Sequence, residues 1–209
     1  MKIKTICILM SLFVIPCSSI AQDLKKGLNS GEVASEGESE QEIAWKIIVT
    51  QEDRYVEQLV SDFIKNVTIP KSVNKEAVVK LRNLLNEEAQ TLTQKDLINL
   101  KQVRSIQIND LGAYFYPYFK CEFKGAKKSL FFEKTAGSQR KSGFVFPNTA
   151  NTMVFLGGKT IKNEKQRQYS GILRAENKDH DVAGLFIKRG KKVLALFRKK
   201  RGYEVYEFK

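Results

Sequence analysis

Phe119-Lys120-Cys121-Glu122-Phe123 is the stretch that decides the fold. Its apolar side chains fall on every second residue with charged ones between, which is the alternation of a strand that turns one face to a core and the other to water. Working outward, the same period of two runs from Val103 to the end of the chain, broken every few positions by turn residues. The pattern predicts strands near 103–108, 114–123, 128–134, 142–147, 152–157, 168–174, 182–188, 192–198 and 203–208. The connections are too short for parallel crossovers, so neighbours are expected to pair antiparallel. A meander of about eight to nine strands must curl to hide its edges, closing into a barrel or splitting into a sandwich. A barrel-like sheet is the expectation.

Ahead of the strands the period is helical. Thr50 and Asp53 read as an N-cap with an acidic third residue, after which Tyr55, Val56, Leu59, Val60, Phe63, Ile64 and Val67 share one helix face until Pro70 stops it. A second helix is expected from Asn74, burying Val78, Leu81, Leu85 and Ala89. A short third one, capped by Thr93 and Asp96, carries Leu97 and Leu100. The fold class is therefore α+β, with N-terminal helices packed on the sheet or across one mouth of the barrel.

Residues 1–21 have the form of an export signal. Lys2 and Lys4 precede an apolar run from Ile6 to Ile15, and Ser19-Ile20-Ala21 fits signal peptidase cleavage before Gln22. The run is shorter than the roughly 20 residues of a membrane span. Cys17 offers a lipoprotein alternative, which Pro16 disfavours. Residues 22–44 read as a spacer, because from Gly27 to Ala44 the chain holds glycine, serine and glutamate with too little apolar surface to offset ordering. One domain then fills 45–209, helical over 45–101 and antiparallel over 102–209, opening on Trp45, the only tryptophan. With the leader removed, Cys121 is the sole cysteine and reads as a small buried hydrophobe on a strand.

Charge is the most informative feature. The chain carries a formal net charge of +13 at neutral pH. If successive turns of an up-and-down meander alternate between its ends, the turns near 135–141, 158–167 and 189–191 share one end. That end would gather Ser138, Gln139, Arg140, Lys141, Lys159, Arg167, Arg189, Lys191 and Lys192 as a candidate binding surface for a polyanion: anionic lipid head groups or an acidic glycan. The opposite end would hold His180 with the basic turn Arg198–Arg201. Nucleic acid is the least attractive partner, because export removes the chain from it and the aromatic residues occupy strand positions.

Catalytic and metal readings find little support. His180 and Cys121 cannot supply a zinc site. Asn177, Asp179 and Asp181 alternate like calcium ligands, but Val182 stands where such a loop needs glycine and Lys188 where it needs glutamate. No phosphate-binding glycine loop opens a helix. Ser138 and His180 could be written as nucleophile and base, yet no nucleophile elbow surrounds the serine, and the strand count puts the two at opposite ends. No catalytic residue, no metal and no cofactor is therefore expected. The leading expectation is a non-enzymatic exported binding module with a basic surface. The alternatives are a barrel carrying a small apolar ligand, disfavoured because Phe119, Phe123, Phe131, Phe144, Phe146, Phe155 and Phe186 could fill the interior, and an unrecognised hydrolase.

Five blocks come in order along the strands: Tyr116-Pro117-Tyr118-Phe119-Lys120-Cys121, Lys134-Thr135-Ala136-Gly137-Ser138-Gln139-Arg140-Lys141-Ser142-Gly143, Met153-Val154-Phe155-Leu156-Gly157, Asp181-Val182-Ala183-Gly184 and Glu204-Val205-Tyr206-Glu207-Phe208. With Trp45, Thr50 and Asp53-Arg54 ahead of them, they resemble the exported bacterial family catalogued as domain of unknown function 4893. The resemblance implies this architecture and export, and no chemistry, because that family has no assigned activity. Members typically carry a cysteine before an arginine on the preceding strand, which looks like the disulfide partner of the position matching Cys121. Here Val103 precedes Arg104, so the resemblance implies that the bridge is missing. The last hairpin also departs, with Phe197-Arg198-Lys199-Lys200-Arg201 where members are richer in tryptophan and proline.

Overall fold

The computed structural model describes residues 40–67, 74–126, 129–171 and 175–209. The segment read as a leader, most of the acidic spacer and Pro70 lie outside the described residues. Helix α1 (Glu40–Ile48) begins ahead of Trp45, so the helical part takes in the last residues of the stretch read as spacer. A 3-10 turn (Gln51–Gln58) runs directly into α2 (Leu59–Asn66), and α3 (Lys75–Asn86) starts after Asn74, which sits in the left-handed region at φ 58°. Short α4 (Gln94–Ile98) opens with the expected capping box between Thr93 and Asp96. Among the described residues no helix is long and apolar enough to cross a membrane.

The strands are β1 (Ala89–Gln90), β2 (Gln102–Asn109), β3 (Gly112–Phe115), β4 (Phe119–Ala126), β5 (Ser129–Lys134), β6 (Gln139–Thr149), β7 (Thr152–Ile161), β8 (Asp181–Arg189), β9 (Lys192–Arg198) and β10 (Tyr203–Phe208). All pair antiparallel. In the order β8-β7-β6-β5-β4-β2-β10-β9, and with β9 returning to β8, they close an eight-stranded barrel. Two strands are extra: β1 adds to β8, and β3 adds to the upper part of β2, where β4 no longer pairs.

Two cores follow from the alternation. Ile106, Ile108, Val154, Leu156, Leu185, Ile187, Leu194, Leu196 and Val205 point outward and meet Trp45, Val56, Leu59, Phe63, Val78, Leu81 and Leu85 of the helices. Trp45 is 1% exposed, as an entry residue packed on the core should be, and its indole N–H finds no acceptor among the described residues. Inside the barrel lie Val103, Cys121, Phe123, Phe132, Val145, Phe155, Phe186, Phe197, Tyr206 and Phe208, and Leu92 and Leu97 join the same cluster from the segment around α4. Helices thus cover the outer wall while α4 contributes to the interior core, so both placements expected from the sequence are used.

The rings fill the interior edge to face. Phe132 alone meets Phe123, Phe155, Phe186, Tyr206 and Phe208 at centroid separations of 5.0 to 6.3 Å. Three of the seven phenylalanines expected inside are not: Phe131, Phe144 and Phe146 stand on the outer face, where Phe131 and Phe144 pack on each other, because the strand phase puts Phe132 inward. Gly184 makes room for this packing, since a Cβ there would lie 2.3 Å from the Phe197 ring.

One predicted strand is not formed by its described residues. Of 168–174, the described residues 168–171 are not extended in the sheet. Tyr169 instead crosses to the helices, where its hydroxyl donates to Asp53 Oδ2 at 2.6 Å and accepts from the Thr50 N–H at 3.1 Å. The connection from β7 to β8 therefore returns at the end where β7 finished. Every later turn changes ends relative to the sequence count.

Candidate functional site

That change of parity builds the site. The β5–β6 turn, the β7–β8 connection and the β9–β10 turn all lie at one end, the upper mouth, and the β8–β9 turn lies at the other. Arg140, Lys141 and Lys159 consequently share the upper mouth with His180, Arg198, Lys199 and Lys200 around a cleft of 610 Å³. Arg189, Lys191 and Lys192 do not. This corrects the expected grouping: Arg189 is buried at 8% exposure with its Nε donating to the Leu85 carbonyl, Lys192 pairs with Glu207, and Lys191 is exposed at the far end. Ser138 is exposed in the β5–β6 turn and Gln139 lines the cleft. Arg167 lies in the β7–β8 connection, where its carbonyl accepts from Ser142 Oγ at 3.3 Å, and it does not line the cleft.

The turn behaves as its residues require. Gly137 takes φ +89°, a region glycine enters without strain, and its carbonyl accepts from Arg140 Nε at 3.0 Å. Asp181, one of the three alternating residues weighed as calcium ligands, accepts from the Ser170 and Gly171 backbone and from Ser170 Oγ, pinning the β7–β8 connection over the mouth. Among the described residues no three metal-ligating side chains converge. Ser138 and His180 stand at the same end after all, which reverses the sequence argument about them, but no hydrogen bond links them among the described residues, and only His180 lines the cleft.

The floor of the cleft was not foreseen. Inward positions of β6 and β10 bring Lys141 and Glu204 together at 2.5 Å, both buried, at 8% and 4% exposure. Lys141 Nζ also donates to the Tyr206 hydroxyl at 3.3 Å and lies over the Phe197 and Tyr206 rings at 4.8 and 4.6 Å. Ser105 Oγ donates to the second Glu204 oxygen at 2.5 Å. Burial alone would push the Lys141 ammonium down, yet Tyr206 and Glu204 raise it. Lys141 first, then Ser105 and Lys199, hold the Glu204 carboxyl below its ordinary range against burial. Tyr206 itself is pushed up to about 12, by burial first.

A second ammonium stands beside this pair. Lys134, 4% exposed, donates to the Gln139 carbonyl at 2.8 Å and lies over the Phe119 ring at 4.7 Å, with no carboxylate partner among the described residues. Burial, and then the Lys141 charge, pull it down to about 8. Two buried ammonium groups thus face one buried carboxylate. Phe197-Arg198-Lys199-Lys200 and Glu204-Val205-Tyr206 held the only sequence signal: a glutamate at an inward strand position beside a basic turn.

The family model described as a domain of unknown function, DUF4893, matches residues 45–196. The chain belongs to the DUF4893 family. The match starts at Trp45, the anchor of the helical core, and runs through β9, so it takes in the helices and most of the barrel. Neither the curated proteins nor the solved structures offer a match. Cys121 of this DUF4893 domain is a free, buried thiol with no bridge to the β2 strand, where Val103 occupies the neighbouring position.

Proposed function

We propose that this DUF4893 protein is an exported, non-enzymatic binding module whose barrel mouth receives an anionic group of an envelope component. The observation that carries the reading is the charge imbalance of the cleft, whose lining sets Lys141, Arg140, Lys159, Arg198, Lys199 and Lys200 against Glu204, Glu164 and Asp181, with buried Lys134 behind it, hydrogen-bonded to Gln139 of the lining. A buried cation without a counter-ion is costly, and a bound phosphate or carboxylate would relieve it. The leader-like residues 1–21 supply the argument for export. Packed rings in the lower barrel leave the apolar-ligand reading without support from the interior.

The test is titration of the protein with inorganic phosphate at low salt, followed by two-dimensional amide NMR. Shifts should centre on Gln139, Lys159, Thr160, Lys199 and Glu204, weaken with added salt and be reduced in Lys159→Ala/Lys199→Ala. Lys191→Ala, at the far end, is the control and should bind as wild type does. Shifts centred on the β8–β9 turn, or none at low salt, would remove the reading.

A further inference from the structure

The face that carries Glu204 continues beyond the barrel wall. Glu204 of β10 pairs with Gln107 of β2, and Gln107 pairs on its other side with Tyr114 of β3. One step along, Tyr206 pairs with Ser105, whose carbonyl accepts from the Tyr116 N–H at 3.0 Å and so extends the β3 register. Directly paired residues of antiparallel strands point to the same face. Tyr114 and Tyr116 therefore stand on the face that carries Glu204 and Tyr206, two strand spacings away, roughly 10 Å. Ala113 and Phe115 go to the opposite face, against the helical core.

Both tyrosines are open to solvent, 42% and 43% exposed, where most large apolar side chains among the described residues are buried. They can be open because β4 pairs with β2 only at Gln102 and Val103, which leaves β3 projecting as a ledge past the wall. Polar groups bridge the two parts. Gln107 Oε1 accepts from Lys199 Nζ at 3.0 Å, and Gln107 Nε2 donates to Gln139 Oε1 at 3.2 Å, and both Lys199 and Gln139 line the mouth.

From mouth to ledge, strand by strand, the surface offers ammonium groups, then amides, then two aromatic side chains. A lipid head group uses the first and has nothing to place on the last. A chain of acidic sugars uses all three: its carboxylate meets the ammonium groups, its hydroxyls meet the amides, and the C–H face of a sugar ring lies on an aromatic ring. We propose that the mouth and the β3 ledge form one groove for an acidic sugar chain, with a uronate carboxylate in the mouth and the adjoining ring on Tyr114 and Tyr116. This rests on the mouth being an anion site.

The intact protein is titrated calorimetrically with a galacturonate oligosaccharide, a neutral galactose oligosaccharide of equal length, inorganic phosphate, and vesicles containing phosphatidylglycerol. The galacturonate chain should bind more tightly than phosphate and the neutral chain. Tyr114→Ala/Tyr116→Ala should weaken galacturonate binding about tenfold and leave phosphate binding unchanged, while Tyr114→Phe/Tyr116→Phe, which keeps the rings, should hold most of the affinity. If the alanine pair binds galacturonate as wild type does, or vesicles bind and the oligosaccharide does not, the groove is refuted and the anion site stands. If phosphate fails as well, the anion site falls and the groove with it.

Discussion

Lys141 and Glu204 form a buried ion pair at 2.5 Å across the inside of the barrel mouth, and the pair is held from both sides, by Ser105 on the carboxylate and by Tyr206 on the ammonium. Such a pair is expensive to bury and more expensive to break. Glu204→Gln leaves Lys134 and Lys141 as uncompensated buried charges and should cost about 3–5 kcal/mol in urea unfolding. Lys141→Met/Glu204→Met, which removes both charges, should recover most of that loss. A double variant no more stable than Glu204→Gln would show that the pair does not behave as a coupled unit.

Lys134 predicts a pH dependence of opposite sign to that of a paired lysine. Its proton is held less tightly folded, at about 8, than its ordinary value of 10.5, so the unfolded chain binds more protons between those values. Its contribution to stability is therefore unfavourable below about pH 8 and is relieved as pH rises toward 10.5, by roughly 3 kcal/mol. Lys134→Met should be more stable than wild type near pH 7, and the difference should shrink on going to pH 10. Denaturant midpoints across that range measure it. A parallel pair of curves would overturn the assignment.

A barrel of about eight strands was legible in the sequence, and so was the phase of β4, but not the phase of β5 and β6 or the part that residues 168–171 play. The alternation around Phe119–Phe123 gave the inward face of β4, and Thr93 with Asp96 gave the cap of α4, because both signals are local. The segment at 168–174 has the composition of a strand, but Tyr169 is spent on a hydrogen bond to Asp53, more than a hundred residues away, that no local pattern encodes. One strand fewer reverses every turn downstream of it. This is why Arg140 and Lys159 share the mouth with Lys199 and not with Lys191. Lys134 and Glu204 escaped notice because charged residues inside a barrel contradict the binary pattern that located the barrel.

The Tyr169 anchor is itself testable. Tyr169→Phe keeps the ring on the helical core and removes the hydroxyl that joins Asp53 and Thr50 to the β7–β8 connection. The buried part of that network should make the loss about 1–3 kcal/mol. Because the connection borders the mouth, amide exchange should quicken in Ser170 and Gly171 while β9 and β10 stay protected. Uniform destabilisation without local exchange would mean that the hydroxyl does not pin the connection.

Cys121 offers a sharp readout of the barrel's integrity. It is 2% exposed on the inner face, and burial pushes its thiol up to about 12, far from the thiolate that reacts with disulfide reagents. In the folded protein an aromatic disulfide reagent should modify it at a rate set by opening of the barrel, slowing in step with added stability. Lys141→Met/Glu204→Met and Glu204→Gln then become a matched pair, since the weaker barrel should label faster at equal pH. Fast labelling of the wild type, independent of denaturant, would place the thiol outside the core.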